Sequence, residues 1–176
     1  YGAAFIGGRK ETPEGGMSLT VTASPNSGTW GSVALEGEDF NTRYQEGDRY
    51  LKFEVHGEKG KAMQKFQLNF RDTEWESLER VQAYQIFNLE YDAQGNPITT
   101  TITIDLKELE GTFGDKKPKP LTGFFDPEKL FHISFEVVAA GYRPAGNPQG
   151  SKLVIENLRM VDENQHKIEQ EAVKKK

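Results

Sequence analysis

The 176-residue sequence contains no cysteine. This excludes disulfide bonds, thiolate metal sites and a cysteine nucleophile. Apolar residues are also sparse, at 35% of the chain, and no run of them approaches the length needed to cross a membrane. Acidic residues outnumber basic ones, the net charge is −5, and the only dense basic run is 174–176. Because phosphate contacts need a concentrated basic face, neither nucleic acid nor a membrane is an expected partner.

Recognisable catalytic motifs are absent from the sequence as well. The three histidines, His56, His132 and His166, are far apart, and none has a metal-binding spacing such as HxH or HExxH. No nucleophile elbow of the GxSxG type occurs, and the glycine-rich pieces lack the strand-to-helix context of a phosphate site. These absences predict a protein without enzymatic activity.

Carboxylates leave one catalytic alternative open. Glu90 and Asp92 are two residues apart, but Asp92 begins the strong turn DAQGNP. Glu54 and Glu136 belong to different predicted strands, and both are expected to point outward. Such a pair is what a sandwich-fold glycosidase or polysaccharide lyase would use.

The clearest pattern is the alternation of apolar and polar residues over 49–71, RYLKFEVHGEKGKAMQKFQLNFR. It predicts two strands, in a β-hairpin or as a pair within a larger sheet, each with one buried face. In the second strand Gln67, Asn69 and Arg71 point outward. This polar row either holds a polar ligand or is an ordinary solvated sheet surface.

Further strands are predicted over 1–6, 17–22, 29–36, 81–91, 98–106, 131–137 and 152–161, separated by turns that contain most of the 18 glycines and eight prolines. This spacing predicts an all-β fold, an antiparallel β-sandwich of jelly-roll topology. The predicted core consists of Leu51, Phe53, Val55, Phe66, Leu68, Phe70, Ile102, Ile104, Ile133 and Phe135, and Ile98 shares the inward face of its strand.

One domain is expected over residues 1–161, followed by a charged linker, tail or frayed helix over 162–176. The sequence begins at Tyr1 without a methionine. We therefore expect a piece of a longer polypeptide.

Aromatic residues near polar strands suggest a sugar site, because a sugar ring has apolar faces and a belt of hydroxyl groups. The predicted platforms are Trp75, which lies in a polar segment, then Tyr84 and Tyr142. Gln67, Asn69, Arg71 and Arg143 would bind the hydroxyls. Trp30 contributes to binding if its ring points outward and is structural if it points into the core, and core filling is the alternative for every aromatic taken alone.

Three segments resemble jelly-roll carbohydrate-binding modules of the kind attached to plant cell-wall glycoside hydrolases. LVIENLRMV is similar to their closing strand, with Val154, Ile155, Glu156, Asn157 and Leu158 at the recurring places. TWGSVAL resembles their tryptophan-glycine strand, and YLKFEVHG resembles a further strand that follows a loop. The resemblance covers about residues 17–161.

The resemblance implies a non-catalytic module that binds β-glucan-type polysaccharide, such as xyloglucan, in a groove on one sheet. It further implies a secreted, bacterial, cellulase-associated protein, monomeric, with a catalytic domain in the same polypeptide. A structural or adhesion domain that binds protein is the remaining alternative.

No cofactor is required by this interpretation. Relatives often hold a structural calcium ion, for which Glu156 would be the last-strand acid. The first segment, YGAAFIGG, has no acid where many relatives have one or two, and this argues against calcium.

Overall fold

The computed structural model describes residues 10–11, 17–23, 30–36, 47–72, 82–108, 110–111, 119–120, 130–138, 147–148 and 150–175. Within these ranges the chain is mostly β-strand. The strands are β1 (Lys10–Glu11), β2 (Met17–Thr22), β3 (Trp30–Glu36), β4 (Asp48–His56), β5 (Lys65–Asp72), β6 (Gln82–Asn88), β7 (Glu90–Tyr91), β8 (Pro97–Ile98), β9 (Thr100–Asp105), β10 (Glu110–Gly111), β11 (Lys119–Pro120), β12 (Leu130–Val138) and β13 (Lys152–Asp162). A 3₁₀ turn spans Leu106–Glu108, and an α-helix, α1, spans Glu163–Lys174.

The strands form two main antiparallel sheets. One has the order β1-β2-β13-β4-β9, and the other has the order β11-β10-β6-β5-β12-β3. β7 and β8 form a separate two-stranded ribbon. The predicted antiparallel β-sandwich of jelly-roll type is confirmed.

The core lies between the two main sheets. Each contributes the inward half of its alternating strands, so that Phe53 from β4 meets Phe66 and Phe135 from the other sheet, with ring centroids 6.4 and 5.5 Å away. All ten predicted core residues are buried. Fully burying a side chain of this size stabilises the fold by roughly 1.5–3 kcal/mol, so these rings are a main source of its stability.

The two strands of the 49–71 stretch are not partners. β4 lies in the five-stranded sheet and β5 in the six-stranded sheet, so the predicted hairpin or same-sheet pair is wrong. Alternation identifies the buried face of each strand, but both strands bury one face against the same core, which is equally compatible with facing sheets. The outward rows of β4 and β5 are therefore on opposite sides of the molecule.

The connection from β4 to β5 is tied down by groups that are distant in sequence. The Tyr91 hydroxyl donates to the Met63 carbonyl oxygen at 2.9 Å, and the Leu89 amide donates to the Gln64 carbonyl oxygen at 2.8 Å. The Tyr91 ring also lies against Gly57, where a Cβ atom would overlap the hydroxyl. Glycine at position 57 is thus required by close packing.

Two predicted strands are divided in the structure. The 98–106 strand is split into β8 and β9, with Ile98 40% exposed instead of inward, because its strand belongs to the β7–β8 ribbon. The 81–91 strand is broken at Leu89 into β6 and β7. The predicted strand over 1–6 lies outside the described residues.

The charged segment after β13 forms the helix α1. Asp162 is its N-cap, with a side-chain oxygen that accepts a hydrogen bond from the Gln165 amide at 2.7 Å. Residues 163–174 are thus a capped helix. Within the described ranges, no helix has the length and apolar character required to span a bilayer.

Candidate functional site

The outer face of the six-stranded sheet contains the polar row predicted on β5. Phe66, Leu68 and Phe70 are buried, which assigns Gln67 and the other alternate positions, 69 and 71, to the opposite face. Gln67 itself is half-buried. This row lies at the centre of the sheet, since β5 is flanked by β6 and β12.

The strand register aligns further predicted residues with this row. Asn69 is opposite Tyr84 on β6 and opposite Ser134 on β12. Arg71 is opposite Gln82 and His132 in the same way. Directly opposite residues of neighbouring strands lie on the same face, so the polar row continues across three strands.

The strand register also determines which face of the sheet position 30 lies on. This position is opposite Val138 of β12, two residues beyond Glu136, and Glu136 is opposite Gln67. By alternation, position 30 therefore belongs to the outer row, at the edge strand β3. Of the eight predicted binding residues, five are at positions on the outer face of the six-stranded sheet: Trp30, Gln67, Asn69, Arg71 and Tyr84. Trp75, Tyr142 and Arg143 lie outside the described residues, and their roles stay predictions.

The outer face of the five-stranded sheet is partly covered by α1, which contacts β4 and β13. Lys52 is only 4% exposed, and its ammonium nitrogen is 2.6 Å from Glu169 Oε2. Arg159 Nη2 is 2.9 Å from the same oxygen. The His166 ring stacks on Tyr50, with centroids 4.0 Å apart and an interplanar angle of 20°. Helix and sheet thus meet through charge pairs and one ring stack.

The electrostatics of this contact alter two pKa values on the helix. For His166, burial and the nearby Lys52 charge both disfavour the imidazolium ion and lower the pKa below its ordinary value. For Glu169, burial raises the pKa, but hydrogen bonds from Lys52 and Gln165 outweigh it and the net shift is downward. The docked helix is therefore adapted to a neutral histidine and an ionised glutamate.

The geometry excludes Glu54 and Glu136 as a catalytic pair. Glu54 alternates with buried Phe53 and Val55 in one sheet, and Glu136 alternates with buried Phe135 and Val137 in the other. The two carboxylates point away from a core between sheets that pack roughly 10 Å apart. Glycosidases need separations of about 5–9.5 Å across a shared cleft.

The Glu90 and Asp92 pair is unsuitable for a different reason. Asp92 accepts hydrogen bonds from the Gln94 and Asn96 amides at 2.9 and 2.8 Å and from Asn96 Nδ2 at 2.8 Å. These bonds, foremost the one from the Asn96 side chain, lower the pKa of Asp92. Asp92 is a turn-forming residue, as its sequence context predicted.

The surroundings of Glu156 do not fit a calcium ion. Its register partner on β4 is Glu54, and His56 Nε2 is 3.7 Å from its Oε2. Calcium requires six to eight oxygen ligands, which a glutamate pair and an imidazole do not supply. Among the described residues, no group of three or more acidic or histidine side chains is placed to hold a metal ion. Calcium binding stays a prediction that these residues do not support.

Two asparagines with structural roles were missed by the sequence analysis. Asn147, 1% exposed, accepts hydrogen bonds from the Gln64 and Lys65 amides at 2.9 and 3.1 Å and donates to the Lys65 carbonyl oxygen at 2.8 Å. Asn157 has a φ of 51° at a β-bulge in β13. The ENL signal that supported the resemblance contains this bulge residue, since asparagine tolerates positive φ better than most residues.

No family model matches the sequence, and no curated protein does either. Solved structures do share its architecture, which is the jelly-roll β-sandwich that occurs in carbohydrate-binding modules. One is the family 30 carbohydrate-binding module of a cellulosomal cellulase from Clostridium thermocellum, with 17% identity, a TM-score of 0.52, and coverage of 92% of this chain and 83% of that one. Another family 30 module has 14% identity and a TM-score of 0.51, over 92% of this chain and 74% of that one.

A larger enzyme contains the same fold as one part of its chain. An exo-β-agarase matches with 14% identity and a TM-score of 0.52, over 90% of this chain but only 22% of the agarase. At these identities the similarity shows a shared fold.

Proposed function

We propose that this chain is a non-catalytic carbohydrate-binding module that binds polysaccharide of the β-glucan class on the outer face of its six-stranded sheet. The observation that carries the proposal is the register that aligns Tyr84, Asn69 and Ser134 across β6, β5 and β12. It combines amide, hydroxyl and aromatic residue types at successive positions along one line. Neighbouring strands are about 4.8 Å apart, a spacing close to the length of one glycosyl unit, so an extended chain crossing the strands would meet a new set of side chains at each unit.

Partial coverage of the opposite face supports this choice of sheet. With α1 packed over Tyr50 and Lys52, the five-stranded sheet has less outer surface to offer a long polymer. The shared fold with carbohydrate-binding modules agrees with the proposal. The separation of Glu54 from Glu136 supports the absence of hydrolysis.

The wider setting of the chain follows from the same proposal. The agarase match, which covers about a fifth of that enzyme, is an example of this fold as one module of a longer polypeptide. We propose the same arrangement here: a secreted bacterial module, monomeric, beside a catalytic domain. Xyloglucan, cellulose-like glucan and mixed-linkage glucan are the candidate ligands.

Affinity gel electrophoresis with a panel of plant polysaccharides tests the function. We expect retardation in at least one β-glucan gel without release of reducing ends. Tyr84→Ala should weaken binding about tenfold, since a stacked ring contributes roughly 1–3 kcal/mol. Gln67→Ala, Trp75→Ala and Tyr142→Ala are expected to weaken it as well.

The control is Thr103→Ala, an exposed substitution on β9 in the other sheet, which should bind like the parent. Equal binding by Tyr84→Ala and Gln67→Ala, both melting like the parent, would show that the wrong face was chosen. Released reducing ends would favour the glycosidase or lyase alternative. Migration unchanged in every gel would favour a structural or adhesion domain.

A further inference from the structure

The outer face of the five-stranded sheet has a second cluster with the chemistry of a ligand site. The Arg49 guanidinium carbon is 5.1 Å from the centroid of the Tyr50 ring, and Arg49 Nε donates to both carboxylate oxygens of Asp105 at 2.9 and 3.0 Å. Lys52 lies on the same face of β4, two residues after Tyr50, and is opposite Arg159 of β13. An aromatic platform thus lies among three cations, of which Arg49 is held in place by Asp105, a carboxylate of the sheet itself.

The helix α1 places a flat ring and a carboxylate in this cluster. The ring is that of His166, stacked on Tyr50 at 4.0 Å. The carboxylate is that of Glu169, whose Oε2 is 2.6 Å from Lys52 Nζ and 2.9 Å from Arg159 Nη2. Together, the two side chains resemble a small molecule that consists of a ring with an acid group.

The contacts of the helix are those of an exchangeable occupant. None of its residues is fully buried, and its larger apolar side chains, Ile168 and Val173, are 54% and 73% exposed. His166 Nδ1 is buried without a hydrogen-bond partner. The hydrophobic effect therefore contributes little to docking, and one polar atom is left unsatisfied.

We propose that this cluster is a binding site for an acidic saccharide of the uronic-acid class, and that α1 occupies it when no such ligand is bound. A pyranose ring would take the place of His166 on Tyr50. Its carboxylate would take the place of Glu169 between Lys52 and Arg159, and Arg49 and Asp105 would bind hydroxyls.

The burial of Lys52 determines the class of ligand. Its side chain is 5% exposed in the docked state, and a buried ammonium ion that loses its anion is strongly destabilising. A neutral sugar that displaced the helix would leave Lys52 in contact with no anion. A uronate replaces one carboxylate by another, so the exchange conserves charge.

Titration calorimetry with tetragalacturonate tests the site in the full chain. The variant His166→Ala/Glu169→Gln removes both occupying groups, and Ile168→Pro breaks the helix without changing the sheet. Because displacement of the helix lowers the apparent affinity of the parent, we expect both variants to bind at least about tenfold more tightly than the parent does. Fully methyl-esterified tetragalacturonate should show no such gain, and adding Arg159→Gln should abolish it.

Amide hydrogen exchange of residues 163–174 and thermal melting show whether the helix is released from a folded sandwich. A released helix with no gain in uronate affinity would overturn the proposal, as would equal binding of the methyl ester. If the helix stayed protected from exchange in both variants, His166 and Glu169 would not be the groups that hold the helix in place. That result would also overturn the proposal. The test requires no binding of neutral polysaccharide, so it can fail or succeed independently of the function proposed above.

Discussion

At the scale of single residues, Asn157 sets the orientation of the end of β13. The bulge adds one residue to β13 relative to both neighbours. Three steps from Ile155 to Leu158 match two steps from Leu19 to Met17 on β2, and Glu156 to Arg159 match Glu54 to Lys52 on β4 in the same way. An extra residue reverses which face the following side chains occupy. Leu158 is consequently buried, and Arg159 reaches the outer face, where it binds Glu169.

We therefore expect Asn157→Val to destabilise the protein by about 1–2 kcal/mol, because a β-branched residue is poorly tolerated at a φ of 51°. Asn157→Gly, which accepts this φ freely, should differ from the parent by less than about 1 kcal/mol. Urea unfolding measures both. A valine variant as stable as the glycine variant would contradict the role of the positive φ.

Gly57 and Tyr91 form a second residue-scale dependence. Gly57→Ala should cost about 1–3 kcal/mol, because the new methyl group would overlap the Tyr91 hydroxyl. In a Tyr91→Ala background the same substitution should cost much less. A double-mutant cycle by chemical denaturation measures the difference, and additive effects would show that the contact is unimportant.

At the scale of elements, the alternation of apolar and polar residues predicted where the strands lie and which face of each is buried. It did not predict which strands pair with each other. The ten core residues are all buried, because a strand with one buried face has a period of two wherever it lies. The same period cannot distinguish a hairpin from two strands in facing sheets, so β4 and β5 were wrongly paired. Ile98 was misassigned because its short ribbon continues the alternation of β9 without sharing its sheet.

The start of β5 depends on Asn147, which no local pattern connects to it. Asn147→Ala would leave two amides and one carbonyl oxygen of Gln64 and Lys65 without their partner. We expect a loss of about 2–3 kcal/mol, since each unsatisfied buried group costs about 1–3 kcal/mol and some would regain water. Thermal and urea unfolding would measure the loss. Asn88→Ala, an exposed substitution at the end of β6 opposite Lys65, is the control and should stay within about 0.5 kcal/mol of the parent.

At the scale of the whole molecule, the sequence predicted the fold class more fully than the site. Turn spacing and the alternation of apolar and polar residues together predict a β-sandwich. The site depends on which strands become neighbours, and position 84 is opposite position 69 only through the register of β6 with β5. Coverage of one sheet by α1 depends on Glu169 meeting Lys52, 117 residues away, which no local periodicity records.

Acid should destabilise the whole molecule through several carboxylates. The pKa values of Asp92, Asp105 and Glu169 are all lowered in the folded state; for Asp105, burial opposes the shift and the Arg49 hydrogen bond prevails. A lowered folded pKa contributes stability that is present above the unfolded value and is lost as the pH falls through the folded value. The lowered pKa of His166 likewise makes the folded protein less stable as the pH falls, but this effect occurs at a higher pH than that of the carboxylates.

The melting temperature should thus be steady above about pH 7, decrease slightly below about pH 6.5 as His166 becomes charged in the unfolded state, and fall steeply below about pH 4. Calorimetric scans across this range measure it. Asp92→Asn should reduce the decrease below about pH 4, whereas Glu171→Gln, exposed on α1, should not. A melting temperature independent of pH would contradict the lowered pKa values.

The position of β13 in its sheet has a consequence for how the chain folds. β13 is the last strand, yet it is inserted between β2 and β4, both of which come much earlier. During synthesis, β2 and β4 must wait with open edges until residues 152–162 leave the ribosome. Such long-range pairing slows folding and exposes strand edges to other chains. The nascent protein should therefore depend on chaperones until its final strand closes the five-stranded sheet.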